Sequence, residues 1–280
     1  MPDELQAINR PRQDNRGPPP PEPAPELRLT DDLVMGLRFF SRLPTGERLF
    51  ARPELSRIAL ALPFTSVVIG FLPAFLLMGA CWIGLPVYFA AALGVAAAVL
   101  TTGAMAEDAI ADAADGLFGG STIERRLEIM KDSRHGTYGV TALCLYLVLR
   151  VVGLGALATI NPLAAGGIWL ASGVAARSGS LWLSLDLPAA REGGASASVG
   201  RVTRRSFSIG AGFAVILVFV LAAPFASVLG VILALLAAAG VAWSWSSACR
   251  RLIGGQTGDL IGALQALIEI AVLTVLLVFA

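Results

Sequence analysis

The 280-residue chain is 56% hydrophobic and only 15% charged, with a formal net charge of +1. Such a composition, with a mean hydropathy of +0.73, is that of a helical integral membrane protein rather than a soluble domain, and the near-neutral charge leaves no basic surface for nucleic acid. A lone histidine, His135, excludes His-rich metal sites and argues against a Ser-His-Asp hydrolase, while Cys81, Cys144 and Cys249 form no CxxC motif and predict neither zinc nor a disulfide framework.

Residues 1–30, with Arg10, Arg12, Arg16 and the run Pro18 to Pro21, cannot bury a core and read as a disordered tail without the apolar stretch of a signal peptide. Residues 31–44 read as a short amphipathic helix. Asp31 and Asp32 suit its first turn, and Pro44 is its expected stop. Phe39, Phe40, Arg38 and Arg42 suit a helix in the membrane interface, with packing against the protein as the alternative.

From there to the end, one helical transmembrane catalytic domain is expected. Seven apolar segments, at 57–80, 86–106, 137–160, 163–186, 206–222, 224–243 and 259–280, approach the roughly 20 residues a span requires. The fifth and sixth share only the Pro224 region and predict a tight hairpin. The connectors near 81–86, 160–163 and 222–226 carry no charge, whereas the others hold all the loop arginines. The positive-inside rule therefore predicts a cytoplasmic N-terminus, an outer C-terminus and every charged loop on the cytoplasmic face of the inner membrane.

One of those charged segments carries the chemistry. In Glu107-Asp108-Ala-Ile-Ala-Asp112-Ala-Ala-Asp115-Gly116, Asp108, Asp112 and Asp115 share one face of a helix, with Glu107 on its shoulder. Like charges stacked this way repel, more so towards a helix C-terminus, and no basic residue is interspersed. A solvated acidic face is the ordinary reading. Against predicted membrane, a hard cation is the sharper one, and oxygen-only ligands favour Mg2+ in the company of phosphate.

Gly116, Gly119 and Gly120 then permit a turn, and Ser121 or Thr122 can cap a short surface helix. Next, Lys131-Asp132-Ser133-Arg134-His135-Gly136 places two cations, a carboxylate and a hydroxyl where they can hold phosphate oxygens or add a metal ligand; an ordinary positive loop is the alternative. Arg150, Arg177 and Glu269 lie inside apolar segments, where an ionisable group implies a polar cavity or an ion pair. The loop at 188–196, with Arg191, followed by Arg201, Arg204 and Arg205, reads as an anion-attracting lid or a topogenic loop. Finally Gly254-Gly255-Gln-Thr257-Gly258-Asp259 opens the last span as a glycine-rich turn that suits an anion, with Asp259 either capping the helix or ligating a cation.

Taken together, these segments resemble the cobalamin synthase family (adenosylcobinamide-GDP ribazoletransferase). The matching pieces are Gly36 to Pro44, Glu107 to Gly116, Arg125 to Arg134, Gly136 to Gly139, Ala176-Arg177, Ala190 to Gly193 and Gly254 to Asp259. The resemblance implies a Mg2+-dependent transfer from adenosylcobinamide-GDP to α-ribazole or its 5'-phosphate, with release of GMP. It implies Asp108, Asp112, Asp115 and Glu107 as metal ligands, and Glu107 or Asp132 as a further ligand or base. Lys131 and Arg177 then contact phosphates, with Ser133, Arg134, Arg191, Gly255, Thr257 and Asp259 completing the substrate site. The partners it implies are these small molecules and membrane lipid, with a homo-oligomer or other late cobalamin-pathway enzymes as further possibilities. A phosphotransferase of the CDP-alcohol type and a cation-coupled transporter using Asp108 and Glu269 are the alternatives; the aspartate spacing differs from the former, and no internal repeat supports the latter.

Overall fold

The computed structural model describes residues 29–46, 54–132, 134–191 and 200–280. Residues 1–28 of the expected tail, Ser133 and residues 192–199 of the expected lid lie outside the described residues. Among the described residues eleven helices form: α1 Leu29–Phe40, α2 Leu55–Trp82, α3 Val87–Thr102, α4 Met105–Gly119, α5 Ile123–Ile129, α6 Thr137–Ile160, α7 Pro162–Ser180, α8 Trp182–Asp186, α9 Arg204–Ala222, α10 Val228–Leu252 and α11 Gly258–Val278. Among the described residues the only extended pairing is a parallel bridge between Ala189 and Gln256.

The protein is all-α, as composition predicts. Helices α2, α6, α9, α10 and α11 have the length and apolarity to cross a membrane, and α3 with α4 makes a sixth if counted as one broken span. The seven expected segments correspond to these and α7. That 19-residue helix sits at the centre of the bundle against α2, α9 and α11. Its Ala165, Ala171 and Ala176 are fully buried, and small side chains are what let three neighbouring helices approach it closely.

Several boundaries differ from the apolar runs, each for a local reason. The fourth segment ends at Ser180, and the separate turn of α8 carries the chain on to Asp186. Helix α10 begins at Val228, because the Ser227 hydroxyl caps it by accepting from Gly230 N–H at 3.0 Å. The expected α9–α10 hairpin has its short connector, but the two helices diverge: α9 lies on α7 and α2, and α10 on α11.

Helix α1 packs on the start of α2. Met35 and Phe40 are buried with Leu55, Ile58 and Leu62, and Asp32 pairs with Arg57 at 2.7 Å. Each such side chain contributes about 1.5–3 kcal/mol on burial. The helix stops at Phe40, short of Pro44. Leu43 precedes proline and so disfavours helical backbone. Arg42 N–H turns away to the Thr101 carbonyl at 2.7 Å, tying the following strap to the end of α3.

Directly after that attachment the chain breaks. Gly103 (φ 67°) and Ala104 (φ 58°) are both left-handed, and α4 leaves α3 at 85°. An alanine in that region costs about 1–2 kcal/mol, so the bend is held by its surroundings. The charged connectors meet at this end of the bundle. Arg126 donates to the Leu252 carbonyl at 2.8 Å, Ser56 donates to the Arg201 carbonyl at 2.9 Å, and Arg250 pairs with Asp186 at 2.8 Å.

Candidate active site

Because α4 starts at Met105, Glu107 and Asp108 stand in its first turn. There the partial positive charge of the unpaired backbone N–H groups favours them, unlike a carboxylate at the far end of a helix. Asp108 is exposed and faces a cleft of about 440 Å³, whose polar lining includes Arg42, Thr102, Asp259 and Gln265 and whose apolar lining includes Phe39 and Leu181. Helices α4 and α11 touch at Ala109 and Gly262. A Cβ at residue 262 would collide with that of Ala109. Glycine there is what allows the two first turns, and so Asp108 and Asp259, to share one opening.

Thr257 is the cap of α11: its hydroxyl accepts from Leu260 N–H at 3.2 Å. Of the two readings open for Asp259, capping is thereby taken by its neighbour, and its carboxylate lines the cleft. The charges of Asp108 and Arg191 act on it. Asp112, one turn further along α4, feels Asp108, Asp259 and Asp115, and has the His135 Nδ1 at 3.6 Å. Among the described residues neither Asp108 nor Asp259 forms an ion pair.

The other two acids of the stripe have partners. Asp115 is buried and accepts from the backbone N–H groups of Gly136 at 2.6 Å and Gly139 at 2.8 Å, so that it holds the first turn of α6. Glu107 is buried as well, and Arg150 of α6 pairs with it at 2.7 Å. Arg150 also pairs with Glu269 of α11 at 3.0 Å, and Glu269 accepts from Tyr146 at 2.8 Å and from Trp169 at 3.1 Å. The ion-pair alternative for Arg150 and Glu269 is thus realised, with Glu107 as an unforeseen third member. Among the described residues, no three His, Cys, Asp or Glu side chains converge as a ready-made metal cage.

The remaining expected site residues fall in three places. Lys131 is exposed. Asp132 is held by Arg134 at 2.7 Å, and that hydrogen bond draws its carboxyl down to about 2. Asp132 and Arg134 border a second hollow with Asp115 and Gly136, at the other end of α4 from Asp108. Arg177 lies deeper, in a space of about 30 Å³ beside Arg150 and Glu269. Arg191 donates to the Leu127 carbonyl, and its loop is stitched to the glycine-rich turn: Ala190 N–H donates to the Gln256 carbonyl at 2.9 Å, and Gln256 N–H to that of Pro188 at 2.8 Å. Gly255 is buried against Ala190 in that junction. The cleft therefore unites Asp108 and Asp259, with Asp112 and Arg191 in electrostatic range, and leaves Lys131, Asp132, Arg134 and Arg177 outside it.

Arg42, Gln265 and His135 also belong to this neighbourhood. The only sequence signal for the first was its place in the Arg38-Phe39-Phe40-Ser-Arg42 segment. Gln265 shows none, and His135 shows one only through its nearness to Lys131 and Asp132.

A Cobalamin-5-phosphate synthase family model matches residues 32–277. The chain is similar to the adenosylcobinamide-GDP ribazoletransferase of Azorhizobium caulinodans, with 41% identity over 261 residues, covering 90% of this chain and 97% of that protein. The protein of the same name from Xanthobacter autotrophicus is 43% identical over 258 residues, with 90% and 97% covered. That from Brucella anthropi is 38% identical over 250 residues, with 88% and 95% covered. No solved structure matches the chain. With a family match that runs from α1 almost to the end of α11, the chain belongs to the cobalamin-5-phosphate synthase family, a family of transferases.

Proposed function

We propose that the protein transfers the adenosylcobinamide phosphate of adenosylcobinamide-GDP to α-ribazole or its 5'-phosphate, releases GMP, and does so with Mg2+ at the cytoplasmic face of the bacterial inner membrane. The relatives' names supply the donor, adenosylcobinamide-GDP, and the ribazole it is joined to. The observation in this chain that supports it is the pair Asp108 and Asp259, two carboxylates from different helices lining one cleft without a cationic partner among the described residues. The oxygen-only donor set fits Mg2+. That ion is commonly held by one or two carboxylates together with water and substrate phosphates rather than by an all-protein cage.

Asp108 and Asp259 would hold the ion, with Asp112 behind them. When bound, it supplies positive charge against the oxygens of a diphosphate. A ribose hydroxyl of the acceptor, one that is free in both α-ribazole and its 5'-phosphate, forms the new O–P bond to the corrinoid-bearing phosphorus, the bridging P–O bond breaks, and GMP leaves with the electron pair. The proton lost by a hydroxyl acceptor passes to a carboxylate of this group. The apolar lining of the cleft, with Phe39 and Leu181, suits a large and partly apolar substrate and limits the entry of water, which strengthens each charge interaction inside.

The experiment is turnover in proteoliposomes with adenosylcobinamide-GDP, α-ribazole and Mg2+, followed by GMP release. GMP formation in step with corrinoid product is expected. Solute flux without GMP release would replace this reading with transport.

A further inference from the structure

We infer that Arg42 is a substrate-binding residue that grips the diphosphate of the nucleotide-activated substrate; this rests on the reaction proposed above. Four observations converge on it. The strap after α1 is anchored by its own backbone, through the bond from Arg42 N–H to the Thr101 carbonyl at 2.7 Å. Its side chain crosses the α3–α4 break. A Cβ on Gly103 would lie 2.6 Å from Arg42 Nε and 3.1 Å from its Cγ, so glycine at the break both accepts the left-handed backbone and seats this arginine. The side chain lines the same cleft as Asp108 and Asp259. Among the described residues its guanidinium has no hydrogen-bond or ion-pair partner.

Its neighbour on the preceding turn behaves differently. Arg38 donates to the Thr45 hydroxyl at 2.8 Å and to the Gly46 carbonyl, and so closes the 41–46 strap on itself. Arg38 lines the same cleft but gives donors to the strap, and is thus a positioning residue, whereas the Arg42 guanidinium makes no such bond among the described residues. A guanidinium and two carboxylates that line one cleft without bonding leave room for something carrying both signs of charge between them. A diphosphate with its counter-cation is such a group. The planar fork of arginine matches two phosphate oxygens at once, which a lysine ammonium cannot do. Arg42 is exposed, as a residue open to a ligand must be, and the close approach of its side chain to Gly103 fixes where it leaves the backbone.

The test compares Arg42→Gln, Arg42→Lys and, as a surface control, Arg125→Gln, whose residue merely pairs with Glu128 on α5. Loss of a charge-assisted bidentate contact is expected to raise KM for adenosylcobinamide-GDP about 10- to 100-fold in Arg42→Gln, with KM for α-ribazole unchanged. Arg42→Lys should fall between, and Arg125→Gln should match the wild type. Binding of GDP with Mg2+ to the purified proteins gives a second reading that needs no turnover, with the same ranking expected. Unchanged GDP affinity and unchanged KM in Arg42→Gln would overturn the assignment, as would an equal loss for both substrates. A wild-type protein that binds GDP through Arg42 yet releases no GMP would instead remove the proposed reaction and leave the contact standing.

Discussion

Glu107 and Asp108 are consecutive residues of equal charge, and they have opposite fates. One turns into the bundle and meets Arg150 at 2.7 Å; the other, about 100° further round the helix, faces the cleft with no ion pair among the described residues. Around Arg150 the buried charges are matched only with Arg177 counted: two carboxylates converge on Arg150, the Arg177 charge acts on Glu269, and the Arg150 guanidinium lies over the rings of Tyr146 at 5.0 Å and Trp169 at 5.7 Å. Around Asp108 no ion pair forms among the described residues: Asp259 and Asp112 add like charge, and Arg42 lines the same cleft without bonding to either carboxylate that lines it. A buried charge is tolerated only when paired. Carboxylates and a guanidinium that share an opening without bonding leave it open to a ligand that carries both signs of charge.

Substitution on the two sides should separate these roles. The largest effect on activity is expected from Asp108→Asn or Asp259→Asn, on the order of 10²–10³-fold in kcat by analogy with the loss of a preorganised electrostatic contact, with the melting temperature in detergent unchanged. Next comes the buried side. Arg150→Leu strands Glu107 and Glu269 and should lower stability by about 3–5 kcal/mol, seen as a large fall in melting temperature and in membrane yield. Chelation of divalent cations should abolish GMP release while leaving helical content and melting temperature alone, because Arg150 rather than a metal holds α4 to α6 and α11. A melting temperature that falls on chelation would break the comparison.

Asp115→Ala removes the acceptor for two N–H groups at the start of α6, and should cost about 1–2 kcal/mol in thermal unfolding. The smallest change is expected at Asp132. Arg134 holds its carboxyl down to about 2, below the usual value of about 3.9. A depressed carboxyl stabilises the fold above the unfolded value and loses that contribution as pH falls from about 3.9 to about 2. Arg134→Gln should therefore raise the Asp132 pKa, read by NMR titration, without altering GMP release at neutral pH.

Much of this molecule follows from periodicity and composition. Apolar length locates the bundle helices, the i, i+4, i+7 aspartates locate α4, and Thr122 caps α5 by accepting from Arg125 N–H at 3.2 Å. What periodicity cannot express is which partner a neighbouring helix brings. Asp112 and Asp115 lie three residues apart on one face, but only Asp115 meets the amides of Gly136 and Gly139. Glu107 meets an arginine 43 positions away. Asp259 reaches Asp108 only because Gly262 lets two helices touch. The α3–α4 break was hidden for another reason: Gly103 and Ala104 sit in an apolar run that reads equally well as straight helix.

That break has a consequence for reach. Unbroken, the stretch from Val87 to Gly119 would make a rod of about 50 Å, longer than the roughly 30 Å hydrocarbon layer, and its acidic end would project beyond the shelter of its neighbours. Two left-handed residues fold the rod back instead. The first turn of α4 then stays within the protein's own perimeter, where Asp108 opens onto the cleft it shares with Asp259.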